Sequence, residues 1–122
     1  MADNPLLDHT RIYHNPRCSK SRQTLALMEE NGLAPEVVKY LDTPPSPAEL
    51  DALVRALGCP VRDIIRVKEK EYKELGLDNP DLSDEQLLEA LSANPRLIER
   101  PIVTYGGRAV MGRPPENVLA LI

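Results

Sequence analysis

Hydrophobic and polar positions in the first third of the chain predict a strand, a helix and a second strand. Short runs rich in apolar and β-branched residues predict strands over residues 11–14 and 36–41. Between them, Leu25 and Met28 lie on one face of a predicted helix over residues 19–31, and Gly32 is placed to end it. The chain therefore begins with a β-α-β pattern.

The clearest helical signal follows the second predicted strand. Ser46 is a typical N-cap, Pro47 suits the first helical position, and Glu49 is placed to complete a capping box. Apolar residues then recur at the spacing i, i+3, i+4 and i+7, which indicates a helix that ends at Gly58. These residues are Leu50, Leu53, Val54 and Leu57.

A block of shorter helices is predicted in the middle of the chain. The helical segments cover residues 61–66, 68–75 and 83–92. Ser83 and Gln86 form a second capping box at the start of the last segment.

The end of the chain predicts a hairpin and a closing helix. Gly106 and Gly107 separate two strand-like runs, residues 101–105 and 108–111, which is a strong signal for a two-residue turn. Residues 114–122 predict the last helix. The full order is that of a thioredoxin-like α/β fold with a helical insertion, although order alone does not determine the fold.

Composition and charge narrow the classes of function. The 122 residues fit one domain, residues 1–122, which can fold without disulfide bonds. The net charge of −4 argues against nucleic-acid binding through general basicity. No run of about 18 apolar residues occurs, and residues 1–10 do not resemble a signal peptide, so we expect a cytoplasmic protein with no membrane partner.

The cysteines and histidines are few and lack metal-ligand spacing. We therefore expect no metal site, and in a reducing compartment we expect Cys18 and Cys59 to be free thiols. Cys59, between Gly58 and Pro60, is interpreted as a structural or incidental thiol.

Cys18 is the strongest candidate for chemistry. It lies where the first strand gives way to the first helix, and a helix start presents unpaired N–H groups and a partial positive charge. A thiol there tends to ionise, and the thiolate is the form that attacks. The neighbouring Arg17, Lys20 and Arg22 oppose burial as a neutral thiol, and we expect Arg22 to help stabilise the thiolate.

Two polar residues near Cys18 refine this interpretation. Ser21 occupies the second position of a C-x-x-C motif, where its hydroxyl can donate to a thiolate but cannot resolve a disulfide. Any catalytic cycle through Cys18 therefore needs a thiol from elsewhere. His14 either stabilises the thiolate or is a partly buried imidazole with its own hydrogen bonds, and the sequence leaves both open.

Three arginines lie at boundaries between predicted elements. Taken singly, Arg66, Arg100 and Arg113 are each typical of a solvated surface, but together at Cys18 they would bind a tetrahedral oxyanion. Pro101, at the start of a predicted strand, is either a cis-proline or an ordinary edge-strand proline.

The chain resembles the glutaredoxin-linked arsenate reductase family from about residue 12 to residue 122. The resemblance lies in six separated blocks at compatible spacing, which is more specific than a single motif. The blocks are IYHNPRCSKSR, YLDTPPSPAEL, VRDIIR, YKELGL, ERPIV and GRPPENVL.

The resemblance implies a role for each matched residue. By position, Cys18 matches the nucleophile of the family, and Pro101 matches the cis-proline beside the active site of thioredoxin-like folds. His14 and Ser21 match residues that lower the pKa of the thiol. The oxyanion-binding arginines are matched by Arg66, Arg100 and Arg113. The implied fold is a four-stranded mixed sheet with flanking helices.

The implied activity is reduction of arsenate to arsenite. The Cys18 thiolate would attack arsenate, glutathione would act as co-substrate, and glutaredoxin would remove the glutathione, with no bound cofactor. Ser19 and Lys20 replace a small Gly-Thr pair, and the chain ends soon after the last predicted helix, two departures that resemble a housekeeping branch of the family.

Two other functions remain open from the sequence. A general glutathione-linked thiol oxidoreductase would use the basic loop to bind glutathione carboxylates. The same fold also serves transcription regulators that act as non-enzymatic binding modules, but these commonly carry C-x-x-C where this chain has Ser21.

Overall fold

Strands and helices alternate along residues 10–122, which are the residues that the computed structural model describes. The strands are β1 (Arg11–Tyr13), β2 (Glu36–Val38), β3 (Ile102–Tyr105) and β4 (Arg108–Met111). The α-helices are α1 (Ser19–Glu30), α2 (Pro47–Leu57), α3 (Lys70–Glu74) and α4 (Asp84–Ala93). Short 3₁₀ helices are Val61–Ile64, Pro95–Leu97 and Pro115–Ala120. The prediction made for residues 1–10 lies outside the described residues, apart from Thr10.

The four strands form one mixed sheet in the order β2-β1-β3-β4. Strand β1 runs parallel to β2 and antiparallel to β3, and β3 pairs antiparallel with β4. Helices α3 and α4 are inserted between α2 and β3. This confirms the predicted thioredoxin-like fold with a four-stranded mixed sheet, flanking helices and a helical insertion.

The central strands β1 and β3 are buried on both faces, because their neighbouring residues alternate between two apolar clusters. Tyr13 and Ile102 pack into the larger cluster, with residues of α2, α4 and the segments around Ile64 and Ile98. Their neighbours in β1 and β3 pack on the other face with α1 and the last 3₁₀ helix. The members of this smaller cluster are Ile12, Met28, Val103, Val118 and Leu121. Packing against both clusters therefore fixes the position of the strand ends that carry the candidate residues.

The predicted hairpin and the second capping box are present. Gly106 and Gly107 both have positive φ, as the tight turn between β3 and β4 requires. Gln86 N–H donates to Ser83 Oγ, and Ser83 N–H donates in return to the Gln86 side chain.

Several predicted boundaries need correction. The second strand ends at Val38, because the backbone then turns, with Asp42 N–H donating to Lys39 O. The predicted helices over residues 61–66 and 114–122 are the shorter 3₁₀ helices Val61–Ile64 and Pro115–Ala120.

The capping box predicted before α2 is only half formed. Ser46 Oγ accepts the N–H of Glu49, as predicted. The carboxylate of Glu49 instead accepts a hydrogen bond from the hydroxyl of Tyr13 in β1. This bond ties the start of α2 to the central strand.

Gly112 joins the end of β4 to Pro101, the residue directly before β3, and to α1. Its N–H donates to Pro101 O at 2.9 Å, and its carbonyl accepts from Thr24 Oγ1 at 3.3 Å. A Cβ at this position would lie 2.7 Å from Thr24 Oγ1 and 2.8 Å from Pro101 Cγ. Only glycine allows this close approach.

We expect Gly112→Ala to lower the free energy of unfolding by about 1–3 kcal/mol, the usual cost of overpacking. Urea denaturation measures the change. In a Thr24→Ala background, which removes the nearest clashing atom, the same substitution should cost less. Equal costs in both backgrounds would contradict a clash with Thr24.

Within residues 10–122, no helix has the length and apolar character needed to cross a membrane.

Candidate active site

Cys18 is the N-cap residue of α1, as the change from apolar to helical pattern predicts. Its backbone is extended, its carbonyl accepts the N–H of Arg22 at 3.0 Å, and the residue is 8% exposed. The N–H groups of the first helical turn have no partner within the helix. Two of them, from Lys20 and Ser21, act on the Cys18 thiol and lower its pKa, although the side chain forms no capping hydrogen bond.

The environment of Cys18 lowers its pKa. Burial is the largest single influence and raises the pKa, because it disfavours the charged thiolate. It is outweighed by the backbone N–H of Ser21, by the hydrogen bond and positive charge of Arg100, and by the backbone N–H of Lys20. Cys18 is therefore a stronger acid than an ordinary thiol.

Two of the three predicted arginines reach the sulfur. Arg100, two residues before β3, acts on the Cys18 thiol and favours its thiolate, and its peptide bond to Pro101 is cis, as the resemblance implies. Arg113 Nη2 lies 3.5 Å from Cys18 Sγ, and Arg113 Nε donates to Arg100 O at 2.6 Å. The Arg113–Pro114 bond is also cis, which the sequence analysis did not anticipate.

Arg66 joins this group through a carboxylate. The segment around Ile65 forms an antiparallel bridge with Ile98, which brings Arg66 beside the start of β3. Arg66 Nε lies 3.7 Å from Glu99 Oε1, and Arg113 Nε lies 3.4 Å from the same oxygen. Arg66, Glu99 and Arg113 line a cleft of about 290 Å³. The three arginines thus converge on one region, although Arg66 stands further from the sulfur.

His14 is buried and is hydrogen-bonded to Ser21. His14 Nδ1 lies 2.6 Å from Ser21 Oγ, which also accepts the N–H of Asn15 at 3.1 Å. The Ser21 hydroxyl thus has His14 and Asn15 as partners, and the effect of Ser21 on the Cys18 pKa comes from its backbone N–H. Burial, together with the charges of Lys39 and Arg22, lowers the pKa of His14 and favours its neutral imidazole.

Arg22 does not lie at the sulfur, which corrects the prediction of direct thiolate stabilisation. It projects from the exposed face of α1, and its Nη1 donates to Pro16 O at 2.9 Å. Its charge acts on His14 instead.

Sequence reasoning missed two residues of this region. Glu99 lies between the arginines, and its only signal was its place directly before Arg100. Tyr40 follows β2 at the same edge of the sheet, and the charges of Arg100, Arg66, Cys18 and Glu99 all act on its hydroxyl. Burial raises the pKa of Tyr40 to about 12, so the hydroxyl is a neutral donor.

Two donors of this region are buried and unused. Among residues 10–122, Tyr40 Oη and Arg100 Nε are both buried without a hydrogen-bond partner. Buried polar atoms without partners are rare, and each can donate to an oxygen of a bound molecule.

The described part of the chain, residues 10–122, has no group of three His, Cys, Asp or Glu residues that could hold a metal ion. Both Cys18 and Cys59 are free thiols. Burial and the charge of Asp63 raise the pKa of Cys59.

The opposite pKa shifts of the two thiols predict opposite pH profiles of alkylation. Because only the thiolate reacts, Cys18 in Cys59→Ser should reach half-maximal rate with iodoacetamide below the ordinary thiol pKa of about 8.5. In Cys18→Ser, Cys59 should reach its half-maximal alkylation rate at a pH above the ordinary thiol pKa. Measuring both rates against pH tests the shifts, and coincident midpoints would contradict them.

Known proteins are similar to this chain in sequence and in fold. The sequence profile that describes the ArsC family matches residues 13–121. An arsenate reductase of Neisseria meningitidis is 55% identical over 113 residues, 92% of this chain and 97% of the relative. An arsenate reductase of Escherichia coli is 40% identical over 116 residues, 95% of this chain and 82% of the relative.

A solved structure agrees closely with this one. The structure of an arsenate reductase from Vibrio cholerae superposes with a TM-score of 0.90 at 54% identity, and covers 93% of this chain and 97% of that one.

Proposed function

The chain belongs to the ArsC family, and from this we propose that it reduces arsenate to arsenite with the Cys18 thiolate as nucleophile. One observation carries the proposal: Cys18 begins a helix with a lowered pKa and has Arg100 and Arg113 at its sulfur. A thiolate beside paired guanidinium groups is suited to attack an oxyanion.

The arginines bind the substrate beside the nucleophile. Guanidinium forks match the oxygens of a tetrahedral oxyanion. The cleft of about 290 Å³ is lined by Arg66 and Arg113 but not by Cys18, and Arg113, with Nη2 3.5 Å from Cys18 Sγ, connects the cleft to the nucleophile. The unused donors Arg100 Nε and Tyr40 Oη supply further hydrogen bonds to arsenate oxygens. As a neutral hydroxyl, Tyr40 donates without adding charge.

The reaction needs two electrons from outside the chain. Attack by Cys18 forms an S–As bond and expels one oxygen as water, with arsenic still As(V). A glutathione thiol replaces a second oxygen, and a glutaredoxin thiol then attacks the glutathione sulfur. The As–S electron pair stays on arsenic, which becomes As(III), and the two thiols leave as a mixed disulfide. Water then displaces Cys18 and releases arsenite.

The use of external thiols fits the residues around Cys18. Ser21 stands where a resolving cysteine would be, and its hydroxyl bonds His14. Cys59 lines a different cleft, with Asp63 and Met111. As the family resemblance implies, we propose glutathione as co-substrate and glutaredoxin as partner, with no bound cofactor.

A second candidate function is a general glutathione-linked thiol oxidoreductase. A cleft of about 380 Å³ adjoins the Cys18 loop and carries Arg17 and Lys39, whose charges match the two carboxylates of glutathione. This observation favours glutathione binding but requires no oxyanion.

The test is arsenite release from arsenate with glutathione and glutaredoxin, and with each omitted in turn. We expect turnover only when both thiols are present. Turnover of a glutathionylated peptide, without turnover of arsenate, would favour the second candidate. Arsenite release at the same rate without glutaredoxin would contradict the proposed partner.

A further inference from the structure

One carboxylate oxygen meets all three arginine residues of the candidate site. Glu99 Oε1 lies 3.7 Å from Arg66 Nε and 3.4 Å from Arg113 Nε. The backbone N–H of Arg100 donates to the same oxygen at 3.3 Å. An oxygen of a bound oxyanion would be expected to have these same donors as neighbours.

Backbone bonds on both sides fix the position of Glu99. Its N–H donates to Ile64 O at 2.7 Å, and Arg66 N–H donates to Leu97 O at 2.7 Å, so the two segments are paired around the Ile65–Ile98 bridge. The Glu99 side chain is 28% exposed and lines the cleft with Arg66 and Arg113. Its carboxylate therefore stays in the cleft rather than in bulk solvent.

The arginine donors nearest the cleft already have partners within the chain: Arg113 Nε donates to Arg100 O at 2.6 Å, and the other neighbours are anionic groups. The Nε atoms of Arg66 and Arg113 face Glu99, Arg66 Nη1 contacts Glu69 at 2.9 Å, and Arg113 Nη2 contacts Cys18. An oxyanion that enters must either displace the Glu99 carboxylate or bind beside its negative charge. Both alternatives weaken binding.

We propose that Glu99 sets the affinity of the site by competing with the substrate oxyanion for Arg66 and Arg113. A tetrahedral anion therefore binds only if its contacts with the rest of the site outweigh the interaction of Glu99 with these arginines. This inference rests on the proposed function, because it assigns the same arginines to substrate binding. It goes further in predicting that the wild-type site binds its anion more weakly than the arginines alone would allow.

The test measures anion binding without turnover. In a Cys59→Ser background, arsenate or inorganic phosphate is titrated against the rate of Cys18 alkylation by iodoacetamide, and each rate is divided by the rate without anion. Glu99→Gln keeps the shape of the side chain and removes its charge, so we expect the half-protecting concentration of both anions to fall about tenfold.

Glu71→Gln is the matched control. It removes the same charge from a carboxylate that pairs with Arg96, and it contacts none of the three site arginines. We expect its half-protecting concentrations to stay within about twofold of the wild-type values. Glu99→Ala, a second variant checked by urea unfolding, should change protection in the same direction as Glu99→Gln.

Three results would overturn the proposal. Weaker protection in Glu99→Gln would mean that the carboxylate only holds the arginines in place. Unchanged protection would mean that it does not compete, and protection in neither variant would mean that the cleft binds no oxyanion. Failure of the proposed function is separate, since it would appear as no arsenite release by a protein whose Cys18 the anions still protect.

Discussion

Cys18→Ser is expected to lower the rate of arsenite formation by on the order of 10³-fold or more, as loss of a nucleophile usually does. A serine hydroxyl has a far higher pKa than a thiol, so the N–H groups of Lys20 and Ser21 and the charge of Arg100 cannot ionise it. Without an ionised nucleophile, no bond to arsenic forms. The measurement is arsenite release with glutathione and glutaredoxin in excess.

Cys59→Ser is the matched control for this prediction. Cys59 is partly buried, its pKa is raised, and it lies in a cleft that does not include Cys18. We expect this variant to retain activity within about twofold of wild type. A similar loss in both variants, or residual activity of Cys18→Ser near wild type, would contradict the assignment of the nucleophile.

The fold was largely predictable because its signals are local. Glycines with positive φ end α2 and form the hairpin turn, and Ser83 with Gln86 caps α4, so the chemistry at each boundary is present in a few adjacent residues. The errors occur where tertiary contacts decide. The Glu49 carboxylate leaves its capping position for Tyr13, a residue 36 positions away in sequence.

The candidate site likewise has one part that local sequence predicts and another that tertiary contacts determine. Cys18 at a helix start could be predicted, because the strand, the turn and the helix are adjacent in sequence. The meeting of Arg66 with Glu99 and Arg113 depends on the predicted β3–β4 hairpin and on the Ile65–Ile98 bridge, and no local pattern encodes that bridge. The resemblance to a family supplied these arginines by position, but it gave no contact for Glu99.

Arg22 shows how closeness in sequence misleads. It lies four residues from Cys18 and was expected to stabilise the thiolate, yet its side chain turns back to Pro16 O on the exposed face of α1. Arg100 and Arg113, far away in sequence, take that place at the sulfur.

Arg100→Lys is expected to lower kcat/KM for arsenate by about 10- to 100-fold, the equivalent of a hydrogen bond to a charged group worth roughly 1.5–3 kcal/mol. Lysine keeps the positive charge but loses the planar fork, including the buried Nε that has no partner among residues 10–122. Both the oxyanion and the thiolate thereby lose a directed donor. Steady-state kinetics with saturating glutathione and glutaredoxin measure the change.

The same variant should also move the pH profile of Cys18, which separates a role at the sulfur from a role in folding. Removing the Arg100 hydrogen bond raises the pKa of Cys18, so the midpoint of alkylation shifts to higher pH. Arg96→Lys is the control, because Arg96 pairs with Glu69 and Glu71 instead of Cys18. If kcat/KM falls but the pH midpoint of Cys18 alkylation does not move, Arg100 acts on the oxyanion alone. If kcat/KM and the midpoint both keep their wild-type values, Arg100 has no role in the site.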